Sequence, residues 1–107
     1  MAITRLQYLN KLLEATPKDS FVLFALAKEH ESAGDDMQSL SFYLRLKGND
    51  PAYIGMYYHL GKLYERLEDF QNAILTYKQG IEISRNARDL HAMSELQSAL
   101  LNLEDPE

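Results

Sequence analysis

Apolar residues recur along the chain at intervals of three and four, as in Leu6, Leu9, Leu12 and Leu13, or in the stripe Leu23, Leu26, Ala27 and His30. That spacing places them on one face of an α-helix, whereas a half-buried strand would alternate. Short punctuation separates the stripes, at Thr16-Pro17, Gly34-Asp35, Gly48-Asn49-Asp50-Pro51, Glu68-Asp69 and Arg85 to Asp89. Glycine, proline and aspartate there favour turns and helix ends over helix interiors. The pattern predicts six helices, over residues 4–15, 19–33, 36–48, 52–67, 70–84 and 89–103, and no sheet. Asp19, Asp35, Asp50 and Asp69 each fall near a predicted helix start, where a carboxylate can accept unpaired backbone N–H groups and complement the dipole. Links this short turn each helix back along its predecessor, so the expected fold class is all-α, with three antiparallel hairpins side by side.

The hairpins also repeat. Laying residues 20–51 over residues 54–85, a shift of 34, aligns Leu26 with Leu60, Lys28 with Lys62, Glu31 with Glu65, Asp35 with Asp69 and Tyr43 with Tyr77. Residue classes agree more widely: Ala27 meets Gly61, His30 meets Tyr64, Ser39 meets Ala73 and Leu40 meets Ile74. A period in this range is the signature of stacked helical repeats.

Tyr57-x-x-Leu60-Gly61-x-x-Tyr64 followed by Ala73-x-x-x-Tyr77 resembles the tetratricopeptide repeat (TPR) pattern. Tyr57 stands in place of the usual Trp, and Arg85 in place of the closing Pro. The preceding copy keeps Leu26, Ala27, Tyr43 and Pro51, with Leu23 and His30 at the two aromatic places. Residues 4–15 look like the second helix of a truncated repeat, because Leu9, Leu12 and Pro17 fall under Tyr43, Leu46 and Pro51. Beyond Arg85 the pattern gives way to a stripe of Ala92, Leu96, Ala99, Leu100 and Leu103, read as a capping helix after one inserted loop residue. The resemblance implies a right-handed superhelix of antiparallel helix hairpins, an α-α solenoid. Residues 1–107 would form a single domain, with repeats at 19–50 and 52–84, a partial repeat helix at 4–15 and a cap at 89–103.

Gly61 lies between the large rings of Tyr57 and Tyr64 on one helix, which predicts a close approach by Ala73 and Tyr77 of the next; Gly80 predicts a second such approach. At about 100° per residue, Phe24, Lys28 and Glu31 share a stripe displaced from the packing face, and Tyr58, Lys62 and Glu65 repeat it, with Arg66 adjoining. In the family, this stripe lines a concave groove that holds an extended peptide or a helix. The resemblance therefore implies a protein-interaction module without catalytic activity, in which Phe24, Lys28, Glu31, Tyr58, Lys62, Glu65 and Arg66 contact a protein or peptide partner, in a groove built from helices near 19–33, 52–67 and 89–103. Exposed aromatics beside flexible cations can anchor an apolar side chain and attract a carboxylate. On residue chemistry alone, Lys28 with Glu31 and Lys62 with Glu65 are also ordinary solvated helix pairs. The family's carboxylate-clamp variant is not matched: Phe24 stands where a clamp Lys would be, and Lys28 and His59 where its Asn residues would be. A competing expectation is a homo-oligomer, with Leu96, Leu100, Leu101 and Leu103 supplying an apolar surface.

Composition narrows the function classes. With 11 basic against 16 acidic residues the net charge is −5, which opposes the phosphate neutralisation that nucleic-acid binding requires. No apolar run approaches the roughly 20 residues of a membrane span, and the first nine residues, with Arg5 and Gln7 among them, lack the apolar core of a secretory signal. The absence of cysteine removes thiolate chemistry and fits a cytoplasmic protein. His30, His59 and His91 are too widely spaced for a helical metal pair, so no metal and no cofactor are expected. No nucleophile elbow, phosphate loop or zincin signature occurs in the chain.

Overall fold

The computed structural model describes residues 3–104. Helices α1 (Arg5–Ala15), α2 (Ser20–Ser32), α3 (Asp36–Asn49), α4 (Gly55–Arg66), α5 (Phe70–Asn86) and α6 (Leu90–Glu104) account for all regular structure among these residues. The chain divides into two compact units, meeting in sequence at Tyr53 and Ile54. In the first, α2 packs along α3 and α1 against α2; in the second, α5 packs against both α4 and α6, and α4 also touches α6.

Local chemistry sets most helix starts. Thr4 and Gln7 form a capping box at α1, with bonds of 2.9 and 3.1 Å. Asp19, Asp35, Asp69 and Asp89 each accept the N–H three residues on, at 3.1 to 3.2 Å. Asp50 departs from expectation. It ends α3 rather than starting α4, and α4 begins after Ile54 without a side-chain cap. Pro51 is the cause: its ring excludes the preceding residue from the helical region, and Asp50 sits at φ −148°, ψ 73°. Its carboxylate is taken by the Ser20 hydroxyl at 2.6 Å, tying the start of α2 to the end of α3. Thr16, before Pro17, ends α1 in the same way.

Three other helices end in a left-handed residue: Gly34 (φ 79°), Glu68 (φ 59°) and Arg88 (φ 59°). At each, the left-handed N–H reaches back three residues and the following aspartate N–H reaches back five, to His30, Tyr64 and Ser84. This is the Schellman arrangement, which satisfies the last carbonyls of the helix.

In the second unit Gly61 lies under the Tyr77 ring, where an added Cβ would meet Cε1 at 2.1 Å, and Gly80 lies against Tyr57, whose Cβ would be 2.6 Å away. The order of these pairs makes α4 and α5 antiparallel. Leu96 of α6 also approaches Gly80, with its Cδ1 3.0 Å from the added Cβ. Tyr57, Leu60, Tyr77 and Leu96 are buried, as are Leu23, Leu26, Tyr43 and Leu46 in the first unit. Each such side chain contributes roughly 1.5–3 kcal/mol by leaving water. Ser39 is buried with its hydroxyl donated to the Ala27 carbonyl at 2.8 Å, a bond for which the corresponding Ala73 has no donor.

Candidate peptide-binding groove

The helices place the expected contact residues on α2 and α4, and their environments differ from the simple solvated stripe. Lys28 Nζ lies 3.4 Å from Glu31 Oε1, which also accepts the Tyr43 hydroxyl at 3.1 Å. Lys62 Nζ lies 3.6 Å from Glu65 Oε2, which accepts the Tyr77 hydroxyl. Both glutamates are thus drawn into their own hairpins, with 15% and 25% of their side chains exposed, and offer less to a ligand than a free carboxylate would. Burial, then the hydrogen bond from Tyr77 to Glu65 and the charge of that carboxylate, push the Tyr77 phenol well above the ordinary tyrosine range.

Phe24 is half-buried rather than exposed. Its ring lies 5.3 Å from that of Tyr53 and 6.3 Å, edge-on, from that of Tyr43. Tyr53 has its own phenol pushed up by burial and by the charges of Asp50 and Asp19. Tyr58 is half-buried as well, with Lys62 Nζ 5.6 Å from its ring centroid and the His59 ring edge-on at 5.8 Å. Arg66 is exposed at the end of α4.

A groove in the second unit adds α6 residues to those expected on α4. Between α4 and α6 lie two adjoining hollows that share Tyr58 and Glu95. One, of about 220 Å³, is walled by Ile54, His59, Ala92 and Leu96. The other, of about 190 Å³, is walled by Lys62, Ser98, Ala99 and Asn102. Tyr58 and Lys62 therefore line a concave surface with α6 as its far wall. Glu95, Ser98 and Asn102 on that wall had no counterpart in the 34-residue repeat, so no alignment within the chain marked them. A wider hollow in the first unit, about 440 Å³, opens beside Asn10, Glu14 and Arg45 and holds none of the expected contact residues. Of the four leucines considered for self-association, Leu96 is buried, Leu100 and Leu103 are half-buried, and Leu101 is exposed.

Residues 54–86 match the family model described as tetratricopeptide repeat. A crystal structure of a tetratricopeptide repeat domain protein from Salinibacter ruber is 46% identical, with 83% of this chain and 99% of that chain covered and a TM-score of 0.78. This chain belongs to the tetratricopeptide repeat family. A solution NMR structure of a tetratricopeptide repeat domain protein from the same organism agrees, at 46% identity, 85% and 92% coverage and a TM-score of 0.80. Among curated proteins none matches the chain. TPR repeats are generally protein-interaction modules and non-enzymatic scaffolds. Among the described residues of this TPR chain, no helix is long and apolar enough to cross a membrane, and no group of three or more His, Asp or Glu is placed to hold a metal ion.

Proposed function

We propose that the protein is a non-catalytic interaction module that holds a peptide or helix of a partner protein between α4 and α6. The supporting observation is the pair of joined hollows, which set the aromatic and cationic side chains of Tyr58 and Lys62 opposite hydrogen-bonding groups on Ser98 and Asn102. A concave surface with apolar walls and a few polar groups suits a short segment, and its small size implies micromolar affinity. In this reading Glu65 and Arg66, further along α4, and Phe24, Lys28 and Glu31, on α2, add contacts to the partner. Backbone amide shifts on titration with peptides selected from a random library test the reading. Shifts gathered on Tyr58, Lys62, Glu95, Ser98 and Asn102 are expected; shifts confined to α1 and α3 would overturn it.

Self-association is the second reading. Leu90 and Leu101, 69% and 63% exposed on α6, favour it by offering apolar area outside the groove. Light scattering over a concentration series separates the two, since a self-associating chain gains mass as concentration rises.

A further inference from the structure

We infer that the segment held between α4 and α6 carries a basic residue next to an apolar one, an inference that rests on the groove reading above. The charges on the two walls are unequal in their commitments. Lys62 is balanced by Glu65 at 3.6 Å, and that carboxylate is further occupied by the Tyr77 hydroxyl. Glu95, on the α6 wall, has among the described residues no lysine or arginine partner; its ion contact is His91 Nε2, 3.9 Å away on a side chain 87% exposed. Glu95 is therefore the groove's unbalanced fixed charge, and it lies where the two hollows meet.

The hollow beside it, walled by Ile54, Ala92 and Leu96, accepts an apolar side chain. The other, with Ser98 and Asn102, offers a hydroxyl and an amide to a peptide backbone. A lysine or arginine adjacent to the apolar anchor would bring its cation to Glu95. The chain's net charge of −5 favours the approach of cationic segments over acidic ones. This preference is opposite to the carboxylate capture that Lys28 and Lys62 suggest when considered without their neighbours.

Selection of short random peptides on the 107-residue chain, followed by fluorescence anisotropy of the enriched peptides, tests the inference. Enriched peptides should pair Arg or Lys with Leu, Ile, Phe or Met, and their affinity should fall about tenfold in Glu95→Lys, roughly 1.4 kcal/mol. Glu95→Gln should weaken them less, and added salt should weaken them further. Circular dichroism identical to that of the parent confirms that each variant is folded. Acidic peptides that bind through Lys62, lost in Lys62→Glu and kept in Glu95→Lys, would overturn the inference while leaving the groove in place. No enrichment, or binding indifferent to Tyr58→Ala, Asn102→Ala and Glu95→Lys, would overturn both.

Discussion

The α2–α3 and α4–α5 hairpins are built on one frame with the bulk placed differently. At a shift of 34, Ala27 and Tyr43 of the first correspond to Gly61 and Tyr77, and Leu23 and Leu46 to Tyr57 and Gly80; all four residues of the first are buried. In the second, Gly61 replaces the alanine and lies under Tyr77, while Tyr57 fills the space that Gly80 leaves open. Two medium side chains in one hairpin thus become a large one and none in the other. Packing at native density constrains the sum at each contact more tightly than the individual residues. The polar parts were not exchanged: the Lys–Glu–Tyr contact and the capping aspartate appear in both.

Substituting Gly61 should have the largest effect. Gly61→Leu drives a side chain into the Tyr77 ring and should cost about 3 kcal/mol or more in urea unfolding; Gly61→Ala should cost about 1–3 kcal/mol although the first hairpin carries alanine at that place. A cost below about 0.5 kcal/mol for Gly61→Ala would show that Tyr77 gives way to the added methyl and that the second hairpin accepts the alanine of the first. Next comes the exchange itself. Gly80→Leu alone should cost about 2–3 kcal/mol by overpacking and Tyr57→Leu alone a similar amount by leaving a cavity. Together they recreate the Leu–Leu pair, so the double variant should recover about 1–2 kcal/mol relative to the sum. Strict additivity would show that the hairpins are not interchangeable at this contact, and Leu96, which touches Gly80, is the residue that would prevent it.

Tyr77→Phe removes a hydrogen bond to a carboxylate and should cost about 1.5–3 kcal/mol, and Tyr43→Phe, which removes the equivalent bond to Glu31, should cost a similar amount. The pH dependence singles out Tyr77. The folded protein holds the Tyr77 proton more tightly than the unfolded chain does, so its contribution is complete below the ordinary tyrosine pKa of about 10 and is lost as pH rises beyond it. Tyr53 and Tyr64 shift in the same direction. Chemical denaturation across alkaline pH should therefore show a shallower loss of stability in Tyr77→Phe than in the parent protein. The smallest effects belong to the turns: Glu68→Gly should gain up to about 1 kcal/mol and Gly34→Ala should lose about as much, because both positions have positive φ. Equal melting temperatures for either variant and the parent would show that these turns carry no strain.

Much of this was legible from residue order. Each of the five identities at a shift of 34 has a physical job: Leu26 and Leu60 are core, Asp35 and Asp69 cap α3 and α5, and the remaining three pairs form the Lys–Glu–Tyr contacts. The helices were readable because stripes and caps agree. Where two local signals competed, as at Asp50, the proline decided, and α4 starts later than the acidic residue suggests. Phe24 was misread as exposed because Tyr43 and Tyr53, which cover it, lie 19 and 29 residues along the chain. Helix 89–103 is named by the sequence as a wall of the groove, but its lining residues are not, for a different reason: a groove is a relation between two helices, and α6 has no earlier copy to reveal which of its residues face α4.

The aspartates after the left-handed residues fasten two helices at once. The N–H of Asp35 closes α2 and its carboxylate opens α3; Asp69 does the same for α4 and α5, and Asp89 for α5 and α6. Such a joint leaves no slack. One residue inserted before Asp35 would part its two tasks or turn α3 by about 100°, carrying Tyr43 away from Glu31. Length changes should accordingly be far less tolerated at these elbows than at the Pro17 bend, where α1 ends on Thr16 and α2 has a separate cap in Asp19.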